Sequence, residues 1–209
     1  LGCNSPTMRL SDDIISSHAS ICAMVIRDFI SNGKVTPGIQ ISYCDDTFPP
    51  KFSTNFTAIQ KFVTLIPENS KTWKIRVKAE ICDSLVGQSL SAMPNETGGI
   101  LIGNVDHKRR IVFITRLLKA PSDSKGYPFA FVRGIRDLPK QVIEIMNKTG
   151  WLIGYVGEWH SHKDGSSRLS QVDKNTRDLL QRSLNKIKMP TLLMITTNKG
   201  CFPYIFPPN

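Results

Sequence analysis

The sequence lacks any apolar run near the roughly 18–20 residues that a membrane helix needs. Its longest candidate, around residues 20–30, is interrupted by Arg27 and Asp28. It also lacks the basic-then-apolar start of a secretory leader, so no membrane association is expected. There is no initiator methionine, and the chain reads as a piece of something longer. Its five cysteines (Cys3, Cys22, Cys44, Cys82 and Cys201) are odd in number and widely spaced, with no C-x-x-C. That pattern suggests neither a disulfide framework nor a thiolate zinc cluster, and points to a reducing cytoplasm. No internal repeat is visible. Histidine is scarce, with four in 209 residues, which makes their placement informative.

What is present suits a folded, water-soluble chain: 40% hydrophobic and 21% charged residues. Lysine and arginine total 27 against 17 aspartates and glutamates, a net charge of +10. The basic residues are scattered, the densest groups being His107–Arg110 and Lys174–Arg177. They read as a solvated surface, and nucleic acid is not an expected partner.

Apolar residues from Ile14 to Ile30 recur with helical period, predicting a helix over Asp12–Ser31 with His18 on its core face. Alternation predicts a strand over Gly38–Tyr43, and residues 45–55 read as an irregular connection. Pro67–Lys71 breaks the chain, and a domain boundary is placed after residue 66. Beyond it the pattern gives a strand at 73–79, a helix at 81–93 and paired strands at 99–105 and 110–120. A polar loop at 121–128, a helix at 137–148 and a strand at 151–162 follow. A polar loop at 163–169, a helix at 170–187 and strands at 191–197 and 201–206 close the chain. Strands and helices mix without regular alternation, so the fold class is α/β in the loose, α+β-like sense.

The chemistry concentrates in Gly157-Glu158-Trp159-His160-Ser161-His162, followed by Ser170 and Asp173. Residues two apart at a strand end share a face, so His160 and His162 present two imidazoles to one point while Ser161 faces away. Two imidazoles and one carboxylate make an open zinc site. Asp173 is the available carboxylate, one turn into the next helix. Ser170-x-x-Asp173 is equally the pattern of a helix capping box, and spacing alone leaves both roles open. The acid that works on water is also open, Glu158 being nearest along the chain.

His160-x-His162, seven residues, Ser170, two residues and Asp173 resemble the signature of the JAMM (MPN-plus) zinc metallopeptidases. Glu96-Thr97-Gly98-Gly99 before an apolar strand resembles that family's upstream glutamate segment. In order, the likeness runs over about residues 73–209. It implies a cytidine-deaminase-like mixed sheet flanked by helices, preceded here by a small helix–strand segment. It implies one Zn2+ on His160, His162 and Asp173, with Glu96 as general base and then acid, and Ser170 as hydrogen-bond donor to the oxyanion. Glu158 is left to orient a ligand histidine. Lys163 departs from the pattern, standing where many relatives have proline.

The expected reaction is cleavage after the C-terminal glycine of a ubiquitin-like protein, releasing a conjugate or maturing a precursor. The alternatives are a non-catalytic docking module for such a protein and a peptidase that trims the tail of a sulfur carrier. Gly2-Cys3-Asn4-Ser5-Pro6-Thr7 and the long helix after it resemble the end of a ThiF/MoeB-type adenylating domain. Residues 1–66 are accordingly expected to be its remnant and 67–209 the peptidase. The implied setting is a bacterial conjugation system, often tied to antiphage defence, with the activating domain in the same polypeptide or complex. Cys3 is then a candidate thioester cysteine.

Overall fold

The computed structural model describes residues 38–44, 51–57, 61–149 and 151–208, the first two segments by backbone alone. The chain divides into two compact units, Leu1–Gln60 and Lys61–Asn209. Within the first, β1 (Gly38–Cys44) pairs antiparallel with β2 (Lys51–Thr57). The strand expected at Gly38–Tyr43 is therefore present. The second half of the segment expected to be irregular, from Lys51, is in a second strand, whose Ser, Thr and Asn residues obscure any apolar alternation. The expected helix over Asp12–Ser31, His18 and Cys3 lie outside the described residues.

The second unit runs through β3 (Phe62–Leu65), β4 (Lys74–Lys78), α1 (Ala79–Ser91), β5 (Gly98–Asp106), β6 (Ile111–Lys119), β7 (Lys125–Tyr127), β8 (Ala130–Val132), α2 (Leu138–Lys148), β9 (Gly154–Ser161), α3 (Gln171–Leu184), β10 (Thr191–Thr197) and β11 (Gly200–Phe206). Seven of its strands form one mixed sheet in the order β11-β10-β9-β5-β6-β4-β3. The β7–β8 hairpin pairs only with itself. The mixed α/β class is as expected. The boundary falls earlier than residue 66, because Phe62–Leu65 pairs with Ile75–Lys78 as the edge strand of the large sheet. The polar loop expected at 121–128 contains β7, whose three residues are too few to show a period.

Helices cover both faces of the sheet. Ile81 and Leu85 of α1 join Ile75, Val77, Leu101, Val112, Ile114, Leu192 and Met194 in the larger core cluster. Leu138 of α2 joins Ile100, Ile102 and Leu118 on the opposite face. β5 therefore turns alternate residues to opposite sides and is buried from Gly98 to Gly103. This is why its sequence reads as a continuous apolar run rather than an alternating one. Each fully buried Leu or Ile side chain contributes roughly 1.5–3 kcal/mol of transfer free energy.

Two features of this architecture place the site. β9 lies between β5 and β10, antiparallel to the first and parallel to the second. Gly98 at the start of β5 sits opposite His160 near the end of β9. A side chain at 98 would not fit: a Cβ there would lie 2.5 Å from the Trp159 carbonyl oxygen and 2.6 Å from the Phe131 ring. Glycine lets the backbone before β5 approach the histidine strand.

Candidate metal and catalytic site

β9 ends in His160-Ser161, with His162 next along the chain, and the extended backbone sorts the three side chains. The Nε2 atoms of His160 and His162 lie 3.1 Å apart. Ser161 turns the other way, and its hydroxyl accepts the Thr97 N–H at 2.9 Å. The Ser161 N–H donates to the Thr97 carbonyl at 2.8 Å, and the His162 N–H to the Thr196 carbonyl at 2.9 Å. Backbone bonds thus fix the histidine pair on one side against the Glu96 segment and on the other against β10.

The loop after His162 folds back so that α3 begins beside the strand end. Ser170 caps α3: its Oγ accepts the Asp173 N–H at 3.2 Å. The Asp173 carboxylate answers by accepting the Ser170 N–H at 2.6 Å. The capping box suggested by the spacing is therefore real. The same carboxylate also faces both imidazoles, with Oδ1 2.9 Å from His160 Nε2 and Oδ2 3.3 Å from His162 Nε2. One carboxylate both closes the cap and faces the two histidines, so capping does not exclude the ligand role.

The donor set suits zinc. One ligand atom from each of His160, His162 and Asp173 lies within 4.8 Å of the other two. His162 Nδ1 lies 3.0 Å from the Ser166 carbonyl oxygen, which can only accept. Nδ1 therefore carries a proton, which leaves Nε2 as the ring nitrogen that would face a metal. Three N, N, O ligands leave a fourth position open in a tetrahedral site.

Electrostatics reinforce the grouping. Burial opposes charge on Asp173, yet the two imidazoles and the Ser170 N–H outweigh it and hold the carboxyl far below its usual range. Burial also opposes charge on His162, but Asp173, Glu96 and the Ser166 carbonyl together raise its pKa. Glu96 is 8% exposed. Burial pushes its pKa up, against the opposing pull of His162 and His160.

These groups line one side of a cleft of about 490 Å³. Its walls are the hairpin residues Phe131 and Val132 and the α3 residues Val172 and Leu179. Ser170 lines it as well. Its Oγ accepts the helix N–H, so its own hydrogen is left to donate. All five residues of the expected constellation are therefore brought together.

Glu158 is placed differently from the expectation. Its carboxylate is held by Arg133, with Nη2 to Oε1 at 2.8 Å and Nε to Oε2 at 3.3 Å, rather than by a ligand imidazole. Sequence patterning does not single out Arg133. It lies in a stretch with no period, and nothing local links it to a residue 25 positions away. Lys163 sits outside the ligand set, its ammonium 4.0 Å from the centroid of the Phe129 ring.

The fold and this site define a JAB-type domain, and comparison with known families agrees. The family of prokaryotic homologs of the JAB domain matches residues 78–199, more than half of the chain, and the chain belongs to that family. A protein named CD-NTase/cGAS isopeptidase, from Enterobacter hormaechei subsp. hoffmannii (strain UCI 50), is 35% identical over 113 residues. The match covers 54% of this chain and 61% of that protein, so the chain spans less than two thirds of that relative. A solution structure from Desulfitobacterium hafniense aligns at 18% identity with a TM-score of 0.38, covering 62% of this chain and 88% of the other.

Proposed function

We propose that this chain is a zinc-dependent isopeptidase that hydrolyses the bond between the C-terminal residue of a ubiquitin-like or similarly conjugated protein and an amine. The convergence of His160, His162 and Asp173 beside a buried glutamate and a free hydroxyl donor carries the reading. Zinc, when bound there, supplies a Lewis acid and makes hydroxide available near neutral pH. Glu96 takes the proton of the attacking water and passes it to the leaving amine. Its burial-raised pKa suits both steps, making it a stronger base than an exposed carboxylate and a readier acid afterwards. Ser170 donates its hydroxyl hydrogen to the oxygen on which negative charge develops. The apolar cleft walls hold the chain leading to the scissile bond and exclude water from it.

The relative's name joins isopeptidase activity to CD-NTase/cGAS. We take the substrate class from it: a conjugate in which a protein of that kind is one member. The setting we propose, bacterial antiphage defence in the cytoplasm, rests on the likeness of residues 2–7 to an adenylating domain joined to a JAMM peptidase. The first unit is proposed to be the end of an adenylating domain with Cys3 as its thioester cysteine, on the likeness of residues 2–7. A glycine-rich nucleotide loop upstream in the full reading frame would support it.

The test is cleavage of a lysine-linked conjugate and of a linear precursor by wild type and Glu96→Gln. The variant should lose about 10²–10⁴ in rate while binding zinc normally. Equal rates for the two proteins would contradict the mechanism. Action on the precursor alone would favour tail trimming.

A further inference from the structure

The β7–β8 hairpin forms a wall of the cleft yet shares no strand pairing with the main sheet. A lone two-stranded hairpin is marginal in water, so its attachments decide where it sits. Beside its turn, the Tyr127 carbonyl accepts the Glu96 N–H at 2.8 Å. Gly126 presses so close to the Glu96 carbonyl that a Cβ would lie 2.3 Å from it. At its base, Arg133 grips Glu158 of β9 with two parallel bonds and donates a third to the Gly134 carbonyl at 3.0 Å. Tyr155 OH stands 3.5 Å from the same carboxylate. The Arg133 and Glu158 side chains are 23% and 13% exposed. The loops on either side of the hairpin are closed on each other: the Gly134 N–H donates to Ser124 Oγ at 2.9 Å, and the Ile135 N–H to Asp123 at 3.1 Å. Hairpin and flanks are therefore tied to the sheet by the Arg133–Glu158 fork and to the Glu96 segment by Tyr127.

We infer that Arg133 is a positioning residue: by clamping the hairpin to Glu158 on the histidine strand, it holds Glu96 at its working reach from His160 and His162. The inference rests on the proposed role of Glu96. It also gives Glu158 its purpose. A bidentate fork fixes orientation as well as distance, and a half-buried carboxylate left without its arginine pulls in water and loosens its surroundings.

The test uses Arg133→Gln, Glu158→Gln and the exchange variant Arg133→Glu/Glu158→Arg, each loaded with zinc. Amide exchange at Glu96 reads the Tyr127 bond directly, with the His162 amide as the internal control. Either single variant should speed Glu96 exchange by about tenfold or more while His162 exchange and zinc content stay at wild-type values. On a lysine-linked conjugate, kcat should fall by about tenfold with KM within about threefold. The exchange variant should recover most of both losses, since it restores the pair with its ends reversed. Unchanged Glu96 exchange in both single variants would overturn the inference. So would a rise in KM alone, which would make the hairpin a binding wall with no hold on Glu96. If wild type hydrolyses no conjugate, the functional reading fails, and amide exchange still decides whether Arg133 positions Glu96.

Discussion

Asp173 caps α3 and is the proposed third zinc ligand, and substitutions separate the two roles. Asp173→Asn keeps a carbonyl that can accept the Ser170 N–H, so it should retain most of the cap while losing zinc. Asp173→Ala should lose zinc and also about 1 kcal/mol of stability from the broken cap. Metal analysis with urea unfolding checks both; zinc retained by either variant would remove Asp173 from the ligand set. Glu96 offers a second test with a definite sign. Burial raises its pKa above the ordinary 4.5, so the folded state holds a proton that the unfolded state releases. Stability therefore falls as pH rises from the unfolded carboxyl's pKa through the raised one. In metal-stripped protein, Glu96→Gln should raise Tm near neutral pH and leave it unchanged below the ordinary carboxylate pKa. An equal Tm shift at both pH values would show that packing, rather than ionisation, is responsible.

At the scale of elements, glycines divide into those that permit the fold and those that merely occur in it. Gly98 lets β5 meet β9 beside the site, and a methyl group there would press on the Trp159 carbonyl and the Phe131 ring. Gly98→Ala should cost about 1–3 kcal/mol. Gly87, inside α1, has nothing within 4 Å of where a Cβ would stand. Gly87→Ala should stabilise by about 0.4–1 kcal/mol. Opposite signs in urea unfolding are the expected result.

The same contrast shows what the sequence could reveal. Strands such as β4 and the apolar β5 announce themselves by alternation or by continuous burial, and α3 by its Ser170–Asp173 cap. The His160–His162 face follows from the pleat. β7 and β8 are three residues each, too short for any period. That Glu96 comes near the histidines depends on strand order: β9 inserts between β5 and β10, bringing Thr97 against Ser161 across 64 residues. No local spacing encodes that, nor the fork that pairs Arg133 with Glu158. There the likeness to a known motif supplied what periodicity could not.

For the molecule as a whole, Glu96, His160, His162, Ser170 and Asp173 all belong to the compact unit Lys61–Asn209. Among the described residues no helix is long and apolar enough to cross a membrane. The core of this unit is assembled from both faces of one sheet, with the cleft opening where β9 meets the start of α3. The most direct measurement strips the protein with a chelator, reloads it with zinc and follows cleavage of a lysine-linked conjugate. Cleavage should vanish on stripping, return fully at one zinc per chain in wild type, and stay absent in Glu96→Gln at the same zinc content. Undiminished cleavage by the stripped protein would contradict the account.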